Sequence, residues 1–425
     1  MKVNIITLGC SKNIVDSEVL MKQLQASGLE VVHDSNEPAK IVVINTCSFI
    51  ADAKQESIDT ILDAVELKKA GKISNIIVFG CLPERYAKEL KAEIPEVDYW
   101  FGVQDLSKIT QAAKGTYNPE ILNERVLSTP THYAYLKIAE GCDRKCSFCA
   151  IPLIRGKHIS KPIEILEDET KRLIDKGAKE ILMISQDLTY YGVDRYGKQE
   201  LTKLVDAISQ INGVEWLRLH YTFPTGFPTS LLDLMREREN ICNYIDIPLQ
   251  HINDRILKSM QRGIGREGTI KLFEQFREKL PNAAIRTAFI VGYPDETEKE
   301  FLELVDFVRY AQFDRMGVFT YSSEEGTKSY NMNDNIPEEE KQKRAEYLMD
   351  IQQEISLNKN KAKIGSIQKT LIDEFETSYW IGRTEHDSPE VDNTVLIKSK
   401  KPLKIGELYD VKIVGADLYD LEGEI

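Results

Sequence analysis

Six of the seven cysteines in this 425-residue chain fall into two sets whose placement could do chemistry. Cys142, Cys146 and Cys149, in GCDRKCSFCAIP, form a C-x3-C-x2-C run. Thiolates this close together are soft ligands suited to an iron-sulfur cluster or to zinc. A structural zinc wants four ligands, and the run has no fourth Cys and no regularly spaced His; His158 lies nine residues beyond Cys149. Three thiolates on a four-iron cube would leave one iron open as a binding site. The second set, Cys10, Cys47 and Cys81, is spread out, yet each member ends a short apolar stretch: VNIITLGC, KIVVINTC and NIIVFGC. A small buried side chain accounts for one such ending. Three successive ones point to a shared task at one edge.

The elements that must hold these residues follow from periodicity. Residues 1 to about 115 alternate short strands with helices: strands to Gly9, Asn45 and Gly80, and helices over Asp16–Ser27, Ala51–Lys69 and Pro83–Lys91. This order predicts an α/β fold whose parallel sheet brings its carboxyl ends, and so the three cysteines, to one crevice. A second β/α series runs from about Tyr133 to Ser323 with six strand-like segments: YAYLKIA, EILMIS, EWLRLHY, YIDIPL, AIRTAFIVG and MGVFTY. Six strands are two short of a closed eight-stranded barrel, so a partial, open-sided (β/α)6 barrel is expected, with the second triplet on the loop after its first strand. Pro337 to about Lys363 reads as a helical connector, acidic at its start and lysine-rich at its end. After Gly365, short alternating strands broken by Gly, Pro and Asp predict a small all-β barrel of five strands. The domains expected are 1–118, 130–358 and 362–425.

Composition narrows the class. The chain is globular in its balance, with 42% hydrophobic and 29% charged residues. A net charge of −13 argues against a general nucleic-acid binder and fits a basic partner better. The absence of a secretory signal and of any apolar run of ~18 residues favours the cytoplasm, with no membrane association. An odd number of cysteines in such a chain suits metal ligation or catalysis better than a disulfide framework.

The run GCDRKCSFCAIP, with aromatic Phe148 before its last Cys, resembles the radical S-adenosylmethionine superfamily. The stretches TLGCSKNIVDSE, INTCSFI, FGCLPERY, RGKHISKP, QDLTYYG, DIPLQH, RTAFIVGYPDET and GRTEHDSPEVD extend the resemblance over nearly the whole chain to its methylthiotransferase family. That resemblance implies two 4Fe-4S clusters, one on Cys142, Cys146 and Cys149 and one on Cys10, Cys47 and Cys81, the latter holding the sulfur to be inserted. It also implies S-adenosylmethionine as cofactor and a carboxy-terminal TRAM-like barrel. One cofactor molecule would methylate the held sulfur. A second would be cleaved to a deoxyadenosyl radical that takes hydrogen from an unactivated carbon. Both clusters should then face one cavity.

Cofactor contacts are expected at Gln186 and Asp187 after the second barrel strand, at Gln250 in IPLQH and at Gly292 in FIVGYP. For Asp187 a helix-capping role is the competing reading, and for Gly292 a tight turn. His251 is a candidate proton-transfer group, Tyr190 and Tyr191 are candidate cavity walls with core packing as the alternative, and Cys242 reads as a small buried side chain. Arg155 and Lys157 could bind the cofactor carboxylate or substrate, or lie in a solvated turn. No catalytic residue is assigned.

The family's targets are a tRNA adenosine or an aspartate of small-subunit ribosomal protein number twelve. From Ser366 to Ile425 there are 7 Lys plus Arg against 13 Asp plus Glu, a net of −6. An acidic barrel suits a basic ribosomal protein, free or in the ribosome, better than RNA. The ribosomal-protein aspartate branch is therefore preferred, although that branch more often has Pro where Ser11 stands. An electron donor such as flavodoxin or ferredoxin and a sulfur source would be further partners. A zinc-binding RNA scaffold is the remote alternative.

Overall fold

The computed structural model describes residues 1–425 and divides into two compact units. The first unit comprises Met1–Thr129, Tyr135–Arg144 and Ala150–Lys161; the second holds Pro130–Ala134, Lys145–Cys149 and Pro162–Ile425. The loop of the second cysteine triplet thus supplies Cys142 to the first unit and Cys146 and Cys149 to the second.

In the first unit, β1 (Lys2–Thr7), α1 (Ser11–Ala26), β2 (Glu30–His33), β3 (Ile41–Thr46), α2 (Ala51–Lys69), β4 (Asn75–Gly80), α3 (Cys81–Glu93), β5 (Tyr99–Phe101) and α4 (Leu106–Ala112) follow one another. The five strands form one parallel sheet in the order β2-β1-β3-β4-β5. Both faces of the sheet are covered, which is why β3 reads as an unbroken apolar run rather than an alternating one. Val42, Ile44, Ile76 and Val78 pack with Ile61 of α2 and Leu90 of α3. Their strand neighbours Ile41, Val43, Ile77 and Phe79 turn the other way, onto Leu20 and Leu24 of α1 and Ile109 of α4. The strand order reverses between β1 and β3, and in open α/β sheets ligands sit outside the carboxyl ends at such a switch point. The first unit also contains most of β6 (Tyr133–Lys137), the two-residue pair β7 (Ala139–Glu140) and β8 (Ile159–Ser160), and between them α5 (Ile151–Arg155).

The second unit continues with α6 (Ile163–Asp175), β9 (Glu180–Ile184), α7 (Val193–Tyr196), α8 (Leu201–Ser209), β10 (Trp216–Leu219), α9 (Ser230–Glu237) and β11 (Tyr244–Asp246). Then come α10 (Asp254–Ser259), α11 (Arg266–Lys279), β12 (Ala284–Val291), α12 (Glu298–Ala311), β13 (Arg315–Thr320) and the long α13 (Glu338–Ala362). All six expected strand segments form. They are not one continuous ladder: β9 pairs with β10 and β11-β12-β13 forms its own parallel sheet, while a lone bridge, Leu217 to Ile241, ties β10 to the segment just before β11. Helix α12 opens with a full capping box between Thr297 and Glu300. The chain ends in a closed barrel, β14 (Ile367–Glu376), β15 (Tyr379–Thr384), β16 (Val395–Lys398), β17 (Leu408–Ala416) and β18 (Leu421–Glu424), ordered β14-β15-β16-β18-β17 around Ile372, Val395, Ile397, Val411 and Ile413.

Candidate functional site

Cys10, Cys47 and Cys81 stand just past the carboxyl ends of β1, β3 and β4, three neighbouring strands. Cys10 is the amino-terminal cap of α1 and Cys81 the first residue of α3, positions where the helix dipole favours a thiolate. The preceding glycines are dictated by space. Gly9 has φ +90°, and a Cβ there would lie 2.7 Å from Cys47 Cβ and 3.1 Å from its Sγ. Gly80 has φ +107°, and a Cβ there would lie 2.7 Å from Thr46 O. The strand ends are therefore drawn as close as backbone allows, and the three sulfurs share one neighbourhood: the charge of Cys10 bears on Cys47, and both bear on Cys81.

Burial pushes the Cys81 thiol up to about 12 and raises Cys47 as well. Opposing this, the guanidinium of Arg155 approaches Cys81 Sγ at 3.5 Å. Sequence reasoning left Arg155 between a ligand contact and a solvated turn; in the structure it is buried and faces a cysteine. Its Nη1 donates to Asp16 Oδ2 at 2.7 Å and lies 3.3 Å from Glu140 Oε2, while Nη2 donates to Asn13 Oδ1. Lys137 completes this charge cluster against Asp16 and Glu140. Asn13, wholly buried, donates its Nδ2 to Leu8 O at 2.7 Å and to Thr46 O at 3.2 Å, tying the ends of β1 and β3 together. Ile154 and Ala150 pack on Cys81 from α5.

The second triplet shows the same glycine device. Gly141 has φ +77°, and a Cβ there would collide with Lys157 O. The N–H of Cys142 donates to Gly156 O at 3.1 Å, so the residue after Arg155 supports the first cysteine of this triplet. In the second unit, Cys149 N–H donates to Cys146 O at 3.2 Å. There a buried arginine again meets a cysteine: Arg262 Nη1 lies 3.3 Å from Cys146 Sγ, its guanidinium stacked on Phe223 at 4.1 Å. Ser147 Oγ lies 2.9 Å from Tyr293 OH, and Phe148 packs against a cluster that includes Tyr293 and Tyr321. Arg262 and Asn13 were not among the expected site residues.

Asp187 is buried and accepts from Thr189 N–H at 2.9 Å, capping the short turn 188–190. Gln186 beside it is half-buried. Gln250 has φ +75°, a conformation uncommon for a residue with a side chain, held by hydrogen bonds of 2.8 Å from its N–H to Ala288 O and from Ile290 N–H to its own carbonyl. Gly292 has φ +69°, and Lys341 fills the space a Cβ would need. His251 is buried; its Nδ1 accepts from Asn253 N–H, so Nε2 carries the proton, and burial pushes its pKa down to about 3. Tyr191 and Cys242 are buried, the latter in an apolar cluster with Trp216 and Tyr244. No three His, Cys, Asp or Glu side chains close around the point a single metal ion would fill. A cube spreads its thiolates wider. Three soft donors at a switch-point crevice, glycines that admit no side chain and a buried cation suit such a group at Cys10, Cys47 and Cys81.

Comparison with known proteins finds three family models along the chain. Residues 2–102 match uncharacterized protein family UPF0004, residues 136–308 the radical SAM superfamily, and residues 364–425 the TRAM domain. The chain is similar to the ribosomal protein uS12 methylthiotransferase RimO of Bacteroides thetaiotaomicron, at 54% identity over all of this chain and 98% of that one. It is likewise similar to the protein of that name from Christiangramia forsetii, at 52% identity over all of this chain and 94% of the relative. Among solved structures, the radical S-adenosylmethionine methyltransferase TsrM from Kitasatospora setae shares the fold, with a TM-score of 0.57 and 14% identity over 87% of this chain and 80% of that one.

Proposed function

Since this chain belongs to the ribosomal protein uS12 methylthiotransferase RimO family, we propose that it adds a methylthio group to the β-carbon of an aspartate of protein uS12. The chemistry is that of a radical S-adenosylmethionine methylthiotransferase. The observation that carries this reading is the gathering of Cys10, Cys47 and Cys81 at the ends of β1, β3 and β4, with Arg155 reaching Cys81 from the loop that holds Cys142.

Cys142, Cys146 and Cys149 hold one four-iron cluster and Cys10, Cys47 and Cys81 the other. When bound, these clusters supply the electron for cleaving S-adenosylmethionine and the point at which the transferred sulfur is held. The protein's own share is positioning and the exclusion of water. In this reading Gln250, whose backbone is held at φ +75°, contacts the cofactor together with Gln186 and Asp187, whereas at Gly292 the side chain of Lys341 occupies the adjoining space and the tight turn accounts for the glycine. The acidic carboxy-terminal barrel favours a basic protein substrate over RNA. An electron donor such as flavodoxin or ferredoxin and a sulfur source are the further partners of this reading, which sets the reaction in the cytoplasm. No helix is long and apolar enough to cross a membrane.

Mass spectrometry of uS12 from a strain lacking this chain tests the assignment: the protein should lose one methylthio group. An unchanged uS12 mass with a methylthio group missing from tRNA nucleosides would move the activity to RNA. Anaerobically purified protein should hold about eight irons per chain; zinc in their place would end the radical reading.

A further inference from the structure

We propose that Arg155 is the positioning residue of the amino-terminal cluster: it hydrogen-bonds the Cys81 thiolate, tunes the cluster's potential and ties the loop of the second triplet to the strand ends of the first. This rests on the cluster reading above.

The two faces of one guanidinium carry the inference. Nη1 is committed to carboxylates, Asp16 Oδ2 at 2.7 Å and Glu140 Oε2 at 3.3 Å. Nη2 turns the other way, to Cys81 Sγ at 3.5 Å and to Asn13 Oδ1. Asn13 then spends both its amide hydrogens on Leu8 O and Thr46 O. Through one intermediate or none, Arg155 therefore reaches the ends of β1, β3 and β4, the three strands that deliver the cysteines. Its chain neighbour Gly156 accepts from the Cys142 N–H at 3.1 Å. A shift of this short stretch moves both triplets' supports at once.

Charge explains why the residue is an arginine. Arg155 and Lys137 face Asp16 and Glu140, a charge-balanced set that needs no contact with sulfur to be neutral and in which only the arginine is fully buried. A buried guanidinium is costly unless its partners offset the lost hydration. Aiming two of its N–H groups at Cys81 and Asn13 adds a donor where a cluster would place negative charge. Hydrogen bonds and positive charge at cluster sulfurs favour the reduced state and raise the potential. Lysine would keep the charge without the fork that meets carboxylates on one edge and sulfur on the other.

The test uses the full-length chain with Cys142, Cys146 and Cys149 changed to Ala, so that iron sits only at the first triplet, reconstituted anaerobically with iron and sulfide. Redox titration followed by electron paramagnetic resonance reads the midpoint potential. Arg155→Met should move it to more negative values at equal iron content, with Arg155→Lys in between. Asp16→Asn, which removes an opposing negative charge while retaining size, should move it to more positive values. Opposite signs are not what simple loosening of the fold produces. An unmoved midpoint in iron-loaded Arg155→Met overturns the proposal; if that variant does not fold, an unmoved midpoint in Asp16→Asn does the same. A parent that takes up no iron fails the cluster reading itself, so the two failures are distinguishable.

Discussion

Arg383 of β15 and Glu180 of β9 form an ion pair at 2.8 Å with their side chains 3% and 0% exposed. Glu180 is shared with Arg218 of β10 at 2.7 Å, and Arg383 with Asp373 of β14, also at 2.7 Å. Around them the segment GRTEHDSPEVD lies along the strands of the central β/α series. Asp387 pairs with Arg315, Ser388 meets His220 Nε2 at 2.9 Å, and Asp392 accepts from Tyr244 OH at 2.6 Å. This segment is one of the stretches that carry the resemblance to the methylthiotransferase family. Its structural role is to seat the carboxy-terminal barrel against strands β9 to β13.

Arg383→Met should therefore destabilise the second unit strongly, because it leaves the buried Glu180 and the half-buried Asp373 with fewer positive partners. Removing one partner of a buried pair costs about 3–5 kcal/mol. Urea unfolding of the purified chain measures this, and a loss below about 1 kcal/mol would show that the pair is not what holds the barrel in place.

His251 gives a pH prediction with a definite sign. The folded chain keeps its imidazole neutral down to about pH 3, whereas the ordinary value is 6.5. Its contribution to stability is complete above pH 6.5 and is lost as pH falls through that window, at about 1.4 kcal/mol per pH unit. Nearby Glu296, raised to about 7 by burial despite Arg344 at 2.8 Å, has the opposite sign: its contribution is present at low pH and lost as pH rises through about 7. The difference between the parent chain and His251→Gln isolates the histidine. Denaturation at a series of pH values should show the parent losing stability more steeply than the variant on acidification.

The two triplets should separate functionally. Cys47→Ala is expected to leave reductive cleavage of S-adenosylmethionine largely intact while abolishing sulfur insertion, and Cys146→Ala to abolish both. Deoxyadenosine and modified uS12, quantified in the same reaction, report the two steps. Equal loss of cleavage in both variants, with the untouched cluster assembled, would contradict the division.

Glycine-to-alanine exchanges should act locally. At Gly80 a methyl would sit 2.7 Å from both Thr46 O and Asn45 Oδ1 on a backbone of φ +107°. Gly80→Ala should thus lose the first cluster and retain the second, lowering iron from about eight to about four per chain. Gly141→Ala should do the converse, and iron analysis with spectroscopy of the remaining cluster distinguishes them.

What the sequence disclosed was whatever periodicity encodes. The Gly-Cys endings, the six strand segments, the helix over Ala51–Lys69 and the long α13 all follow from runs of apolar residues and their breakers. Short edge strands did not: β2, β5 and the two-residue pair β7 and β8 carry too few residues to show a period, and β18, LEGE, reads as polar. The site divides along the same line. Cysteines announce themselves by type, whereas Arg155 acquires its meaning from Asn13 and Cys81, 142 and 74 residues away, and Arg262 from Cys146, 116 residues away. Nothing in the spacing of a lone arginine marks it as buried.

The docking of GRTEHDSPEVD also alters how the molecule presents itself to a visitor. Residues Ser366 to Ile425 sum to −6, but Asp387 and Asp392 are already neutralised by Arg315 and Arg286 of the neighbouring strands. The outward field of that barrel is consequently weaker than its letters suggest, and the charge left for a cationic polypeptide to meet is the remainder: Glu374, Glu376, Asp410, Glu422 and their exposed neighbours. Reversing those surface charges should slow capture in low salt, while reversing the two hidden aspartates should simply unseat the domain.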